Sequence, residues 1–150
     1  MSILDAAGQT LKRAREDLTP RWVTTVGNRA VGTDGLNLLA WDMDRTTPVF
    51  KRPLPEKAMG FASGGRYLAT RGMYRALVFD AETLETVAEI KTGGGLPVLA
   101  IHPSRPEIAL ADVKSVVILD FMGREIERRP LQNTVTALAY WHDALLTSDG

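Results

Sequence analysis

The segments NLLAWD, ALVFD and SVVILD each run through apolar residues to an aspartate, at Asp42, Asp80 and Asp120. Those aspartates lie 38 and 40 residues apart, and the match extends well beyond them. At an offset of 40, Phe61 falls on Ile101, Tyr67-Leu68-Ala69 on Glu107-Ile108-Ala109, and Val78-Phe79-Asp80 on Ile118-Leu119-Asp120. Near the end, VTALAYWHDALLTSDG opens the same phrase once more. A chain that repeats one unit of this length folds as an array, because a single unit cannot cover its own apolar face and must stack on its neighbours.

Each unit holds four short apolar runs. In the second they fall near 58–62, 67–71, 75–79 and 86–90, and in the third near 98–102, 107–111, 115–119 and 125–129. Bounded by Gly, Pro, Asp, Ser or Asn, these runs are too short for helices and rich in Val, Ile, Leu and aromatics, so they read as strands joined by tight turns. The third run of each unit is apolar almost throughout, which implies burial on both faces. The fourth, TVAEI or EIERRP, is more polar and belongs at an outer edge. Four-stranded antiparallel sheets stacked face to face at this period are the blades of a β-propeller. The expected fold class is all-β, a propeller preceded by one short N-terminal α-helix.

Trp41-Asp42 closes a third strand, and VFD and ILD occupy the equivalent places; together they resemble the signature of the WD-repeat family. LAIHPSRPEIALAD and MGFASGGRYLATRG resemble that family's passage from first strand through turn to second strand. The resemblance covers residues 21–150. Trp is replaced by Phe79 and Leu119 in the other two repeats, and KTGGGLP and LQNTV stand where the family usually carries Gly-His. The histidine-centred hydrogen-bond network of the family is therefore not carried over. The resemblance implies a divergent WD-like propeller that acts as a scaffold for other proteins.

Residues 21–57, 58–97 and 98–133 supply one blade each, and 134–150 the first two strands of another. A closed propeller has about four to eight blades, so the expected ring is incomplete. Three completions fit: the chain is the N-terminal piece of a longer propeller, another copy or subunit completes it, or it closes alone as a small four-bladed ring.

The first twenty residues differ in kind. Leu4, Ala7, Leu11, Ala14 and Leu18 step by three and four, which places them on one stripe of a helix. Ser2 with Asp5 makes a capping-box arrangement, and Thr19-Pro20 ends the run. Leu4, Leu11 and Leu18 are thus candidates for docking, on the propeller or on a partner.

Composition narrows the function. Eighteen Lys and Arg balance eighteen Asp and Glu, so total charge predicts neither nucleic-acid nor membrane partners. No cysteine is present, which removes disulfides, thiolate metal sites and cysteine nucleophiles. The N-terminus lacks the features of a signal peptide, and no run approaches the roughly 18 apolar residues of a membrane helix, so the expected location is cytoplasmic.

No catalytic residue, cofactor or metal is expected. KTGGG has glycines suited to a phosphate but lacks the Walker order, and GFASGG lacks the spacing of a nucleophile elbow. His102 and His142 each follow a first strand and read as turn residues. Asp42-Met43-Asp44 sits at a turn, where aspartate is a turn former, and recurrence of Asp42, Asp80 and Asp120 itself argues for structure, since a catalytic group is needed once.

Alternate turns of a meander emerge at opposite ends. One end collects the turns between second and third strands and the connections between blades, with Lys57, Arg71, Arg75, Lys91 and Lys114 against Glu56, Asp34, Asp112 and Asp149. The other carries Asp42, Asp44, Asp80, Glu82, Glu85, Glu107, Asp120 and Asp143 against Arg45, Arg66, Arg105 and Arg124. Met73 and Tyr74 add a large apolar pair to a turn at the first end, beside the arginines Arg71 and Arg75. Aromatics with arginine are favoured at binding hot spots. The partner-binding candidates are therefore Arg71, Met73, Tyr74, Arg75, Lys91 and Lys114, and the partner an acidic or phosphorylated protein segment. The alternatives are self-association that completes the ring, and a propeller hydrolase or lactonase with a metal or acid cluster in its channel. RNA binding lacks the basic stripe with interleaved aromatics that it needs.

Overall fold

The computed structural model describes Ser2–Leu4, Thr10–Arg13, and residues 20–42 and 49–149. Every regular element in them is a β-strand, and the chain divides into two compact units, Met1–Lys57 and Ala58–Gly150.

In the first unit β1 (Ser2–Leu4) and β2 (Thr10–Arg13) pair antiparallel, Ser2 with Arg13, Ile3 with Lys12 and Leu4 with Thr10, with an irregularity after Ile3. This corrects the expected helix. Leu4 and Leu11 stand in a two-stranded sheet, whereas Leu18 lies outside the described residues. Against the stripe of leucines and its capping signals stand Gly8 in the middle of the run and the β-branched Ile3 and Thr10. β3 (Trp22–Val26), β4 (Arg29–Thr33), β5 (Asn37–Asp42) and β6 (Phe50–Pro53) then form an antiparallel meander in that spatial order. Ala30, Leu39 and Trp41 are its buried cluster.

The second unit repeats the meander. β7 (Gly60–Gly64), β8 (Tyr67–Arg71), β9 (Arg75–Asp80) and β10 (Thr86–Lys91) make one four-stranded sheet. β11 (Leu99–Ile101), β12 (Glu107–Ala111), β13 (Ser115–Asp120) and β14 (Glu125–Pro130) make the next. β15 (Val135–Trp141) and β16 (Ala144–Asp149) pair as a two-stranded sheet. As the patterning requires, the third strand β9 is buried along nearly its whole length, and the fourth strand β14 is exposed along all of it.

The middle sheet shows how one strand serves two cores. Leu99, Ile101, Ile108 and Leu110 join Ala69, Val78 and Ile90 of the preceding sheet. The residues between them, Ala100, Ala109 and Ala111, turn to the opposite face with Val116, Ile118 and Val135. Side chains alternate with a period of two, so both sets must be apolar when both faces are covered. Edge-on contact of Tyr67 with Phe121, with ring centroids 4.9 Å apart, closes one flank of the first of these cores.

The first strands β7 and β11 come closer than ordinary side chains permit. A Cβ at Gly60 would collide with the carbonyl oxygen of Pro97, and one at Gly64 would lie 2.5 Å from that of Ile101. Gly65, at a φ of 53°, has the same relation to Pro103 and also needs the left-handed backbone that glycine tolerates. Gly94, by contrast, has nothing within 4 Å of where a Cβ would stand. Gly60→Ala should therefore cost about 2 kcal/mol, the scale of overpacking against backbone that cannot move aside, while Gly94→Ala stays within about 0.5 kcal/mol. Urea unfolding of the two variants beside the parent checks both.

Candidate functional site

The antiparallel order of the second unit sends residues 72–74, 92–98 and 112–114 to one end and residues 81–85, 102–106, 121–124 and 142–143 to the other. At the first end, the tight turns after β8 and β12 are built alike. The Gly72 amide donates to Arg75 O at 2.9 Å, and the Asp112 amide to Ser115 O at 2.8 Å. Turns so short leave no room to fold their central side chains inward. Met73 is 50% exposed, Tyr74 65% and Val113 56%. The Thr92 amide donates to Tyr74 O at 2.8 Å, which ties the β8–β9 turn to the connection that follows β10.

The sequence candidates fare differently from one another. Met73 and Tyr74 are exposed, and so are Lys91 and Lys114. Arg75 spends its charge on Glu89, with Nη1 2.6 Å from Oε1. Arg71 is not at the surface at all: it is 4% exposed, and its Nη1 donates to the carbonyls of Ala111 at 2.7 Å and Val98 at 3.2 Å. Strands β11 and β12 terminate beside it, and although Val98 O also accepts the Ala111 amide at 3.0 Å, this long donor from β8 fills the gap between the sheets. Burial pushes its guanidinium pKa down, against the pull of nearby Asp112. Sequence reading missed Val113, and Leu36 at the corresponding turn of the first unit, itself 61% exposed. The signal was available, since Val113 is Met73 advanced by one repeat of 40 residues, and Leu36 is Tyr74 set back by 38.

The other end is acidic in composition, but Asp80 and Asp120 are engaged. Asp80 Oδ1 accepts the amides of Glu82 at 3.0 Å and Thr83 at 2.9 Å, and its Oδ2 accepts Arg66 Nε at 2.7 Å. Asp120 does the same for Met122 and Arg124 amides, both at 2.9 Å, with Arg124 Nε at 2.6 Å. Asp42 meets Arg29 Nε at 3.3 Å, while Asp44 and Arg45 lie outside the described residues. Asp80 and Asp120 are thus turn formers, while the turn that follows Asp42 lies outside the described residues. Backbone donation from Thr83, followed by the Arg66 hydrogen bond, lowers the Asp80 pKa to about 2.

His102 is fully buried and also organises a turn. Its Nδ1 accepts the amides of Ser104 at 3.2 Å and Arg105 at 3.0 Å, so the ring proton sits on Nε2, 3.2 Å from Asp143 Oδ1. Tyr140 meets the ring edge-on, with centroids 4.8 Å apart. His142 is the left-handed residue of the β15–β16 turn, at a φ of 51°. Beside the first strands β7, β11 and β15 lies a cavity of about 260 Å³, lined by Phe61, Ser63, Leu99, Ile101, Pro103 and Tyr140 among others, with no carboxylate or imidazole in its wall. Among the described residues, no three His, Asp or Glu side chains cluster to hold a metal ion.

The chain matches no protein-family model and no curated protein sequence. Solved structures do match its fold. Hydrazine synthase of Kuenenia stuttgartiensis aligns with a TM-score of 0.70 at 14% identity over 91% of this chain and 44% of its own. A chain from a crystal structure of the mitotic checkpoint complex aligns with a TM-score of 0.78 at 13% identity, over 99% of this chain and 51% of its own. BamB from Moraxella catarrhalis aligns with a TM-score of 0.64 at 19% identity, over 85% and 39%. This chain spans about half or less of the length of each of them, and the shared property at such identities is the β-propeller fold.

Asp80 supplies a pH test. Its pKa is held below the ordinary 3.8, so its stabilising effect is complete above pH 3.8 and is lost as pH falls through about 2. Asp80→Asn should cost about 2 kcal/mol at pH 7, the range for charged hydrogen bonds. The gap between variant and parent should close between pH 4 and pH 2 in acid-dependent unfolding.

Proposed function

We propose that this chain is a non-enzymatic interaction module of the WD-like propeller type, acting in the cytoplasm, which presents the β8–β9 and β12–β13 turns to a protein partner. The observation that carries this reading is the placing of Met73, Tyr74 and Val113 in the open at matching turns of adjacent sheets. Large apolar groups held out on rigid turns cost solvation and give nothing back to the fold, and such groups centre binding hot spots. Lys91 and Lys114 flank them, which favours an acidic or phosphorylated segment. The presence of one structural neighbour in the mitotic checkpoint complex supports a protein partner for a propeller of this kind.

The test places a photo-crosslinking residue at Tyr74, at Val113, and at Met122, which is 81% exposed at the opposite end. Crosslinks to one defined protein should form from positions 74 and 113, disappear with Met73→Glu, and be absent from position 122. Equal yields from all three positions would refute the surface. Light scattering across a dilution series identifies the partner's class: a mass fixed at a small multiple of 16.4 kDa assigns the surface to a second copy.

A further inference from the structure

The glycine-rich connection KTGGG lies beside a buried cation. A groove of about 230 Å³ runs between the β7–β10 sheet and the β11–β14 sheet, with Arg71, Lys91, Thr92, Gly93, Gly94 and Arg128 supplying its donors. Arg71 is buried, yet among the described residues no carboxylate lies within ion-pair distance of it, and its hydrogen bonds to them run from Nη1. Carbonyl oxygens satisfy part of its hydrogen bonding, and Asp112 attracts its charge without forming an ion pair. A guanidinium taken out of water without a counter-charge is costly, and the depressed pKa of Arg71 has that origin.

The donors around it are similarly unspent. Thr92 Oγ1 is buried and unpartnered. Lys91 stands exposed at the rim with no ion pair among the described residues. The amides of Gly93 and Gly94 donate to no carbonyl among the described residues, and nothing lies within 4 Å of either Cβ position, so ligand can approach the backbone. Two acids share the lining, and Glu125 is paired with Arg128. Asp112 Oδ1 accepts the Val113 amide at 2.7 Å, and the two oxygens of Glu125 accept Arg128 at 3.2 and 2.7 Å. Arg71 and Lys91 are the cations of the groove that make no ion pair among the described residues, with Asp112 near Arg71.

We propose that this groove binds a phosphoryl group, its oxygens accepting from Arg71, Lys91, Thr92 Oγ1 and the amides of Gly93 and Gly94. Successive glycine amides with a guanidinium and an ammonium form the donor set that a tetrahedral oxyanion fills. That the phosphoryl arrives on a partner's segment rests on the reading under Proposed function; the donors themselves do not.

The experiment titrates the 15N-labelled chain with inorganic phosphate at constant ionic strength, against chloride as the baseline. Saturable shifts confined to the Gly93 and Gly94 amides and the Arg71 Nε–H are expected. Lys91→Ala should weaken binding about tenfold, the scale of one charge-assisted contact, and this exposed position keeps the fold intact. Shifts that are uniform, or equal to those in chloride, would overturn the site. A phosphoserine peptide that binds more tightly than phosphate, with its unphosphorylated twin silent, assigns the group to a protein segment; equal affinity for peptide and phosphate assigns free phosphate. Loss of crosslinks at positions 74 and 113 with phosphate binding intact removes the partner surface and leaves the anion site standing, and the converse pattern removes the anion site alone.

Discussion

The second unit depends on how closely the first strands β7 and β11 can approach. Gly60, Gly64 and Gly65 set their backbones against the carbonyls of Pro97, Ile101 and Pro103, and a methyl group at any of the three has no place to go. Strands that meet at backbone distance on the inside let the sheets diverge toward the outside, where larger side chains are needed to fill the widening gap. Ile90 and Ile108 fill it on one face of the middle sheet, and Val116 and Ile118 on the other. The gradation from glycine at the first strand to bulky residues further out follows from that geometry and not from strand propensity.

The same stacking decides what the charged residues do. Once third strands are covered on both faces, the polar groups taken inside complete backbone hydrogen bonds at several places. Asp80 and His102 meet the amides of their turns, and Arg71 meets the carbonyls where β11 and β12 end. Aspartate and histidine thereby finish structures that are local in sequence. Arg71 bridges two sheets instead, and it forms no ion pair with any described carboxylate, though Asp112 is near enough to attract it. It is the place where the scaffold carries an electrostatic cost that a ligand can relieve.

Much of this was legible from the repeat. The steps of 38 and 40 between Asp42, Asp80 and Asp120 carry the four-stranded sheets with them, because matching apolar runs at fixed spacing leave few other arrangements. The turn role of Asp80 and Asp120 was legible for the same reason. The N-terminal segment was misread where a leucine stripe outweighed Gly8 and two β-branched residues, and Ser2–Leu4 pairs with Thr10–Arg13 instead. In the candidate site, Met73 and Tyr74 stood out as apolar residues in a turn, whereas Val113 is an ordinary valine unless it is set one repeat after Met73. Arg71 was counted with the surface because arginines in turns usually are, and no local pattern marks it as buried.

By itself the sequence determined the class of element, the number of strands per sheet, their order along the chain and the residues that shape each turn. These are local or periodic properties, written in alternation, apolar runs and turn formers. Only the tertiary structure decided which side of each strand faces which neighbour, which glycines are forced by close approach, and which charges are spent. It separated Lys91, free at a rim, from Arg75, paired with Glu89, and from Arg71, enclosed between sheets. Those distinctions depend on distances between residues some 14 to 40 positions apart, such as Arg75 from Glu89 and Arg71 from Ala111, and a linear pattern does not record them.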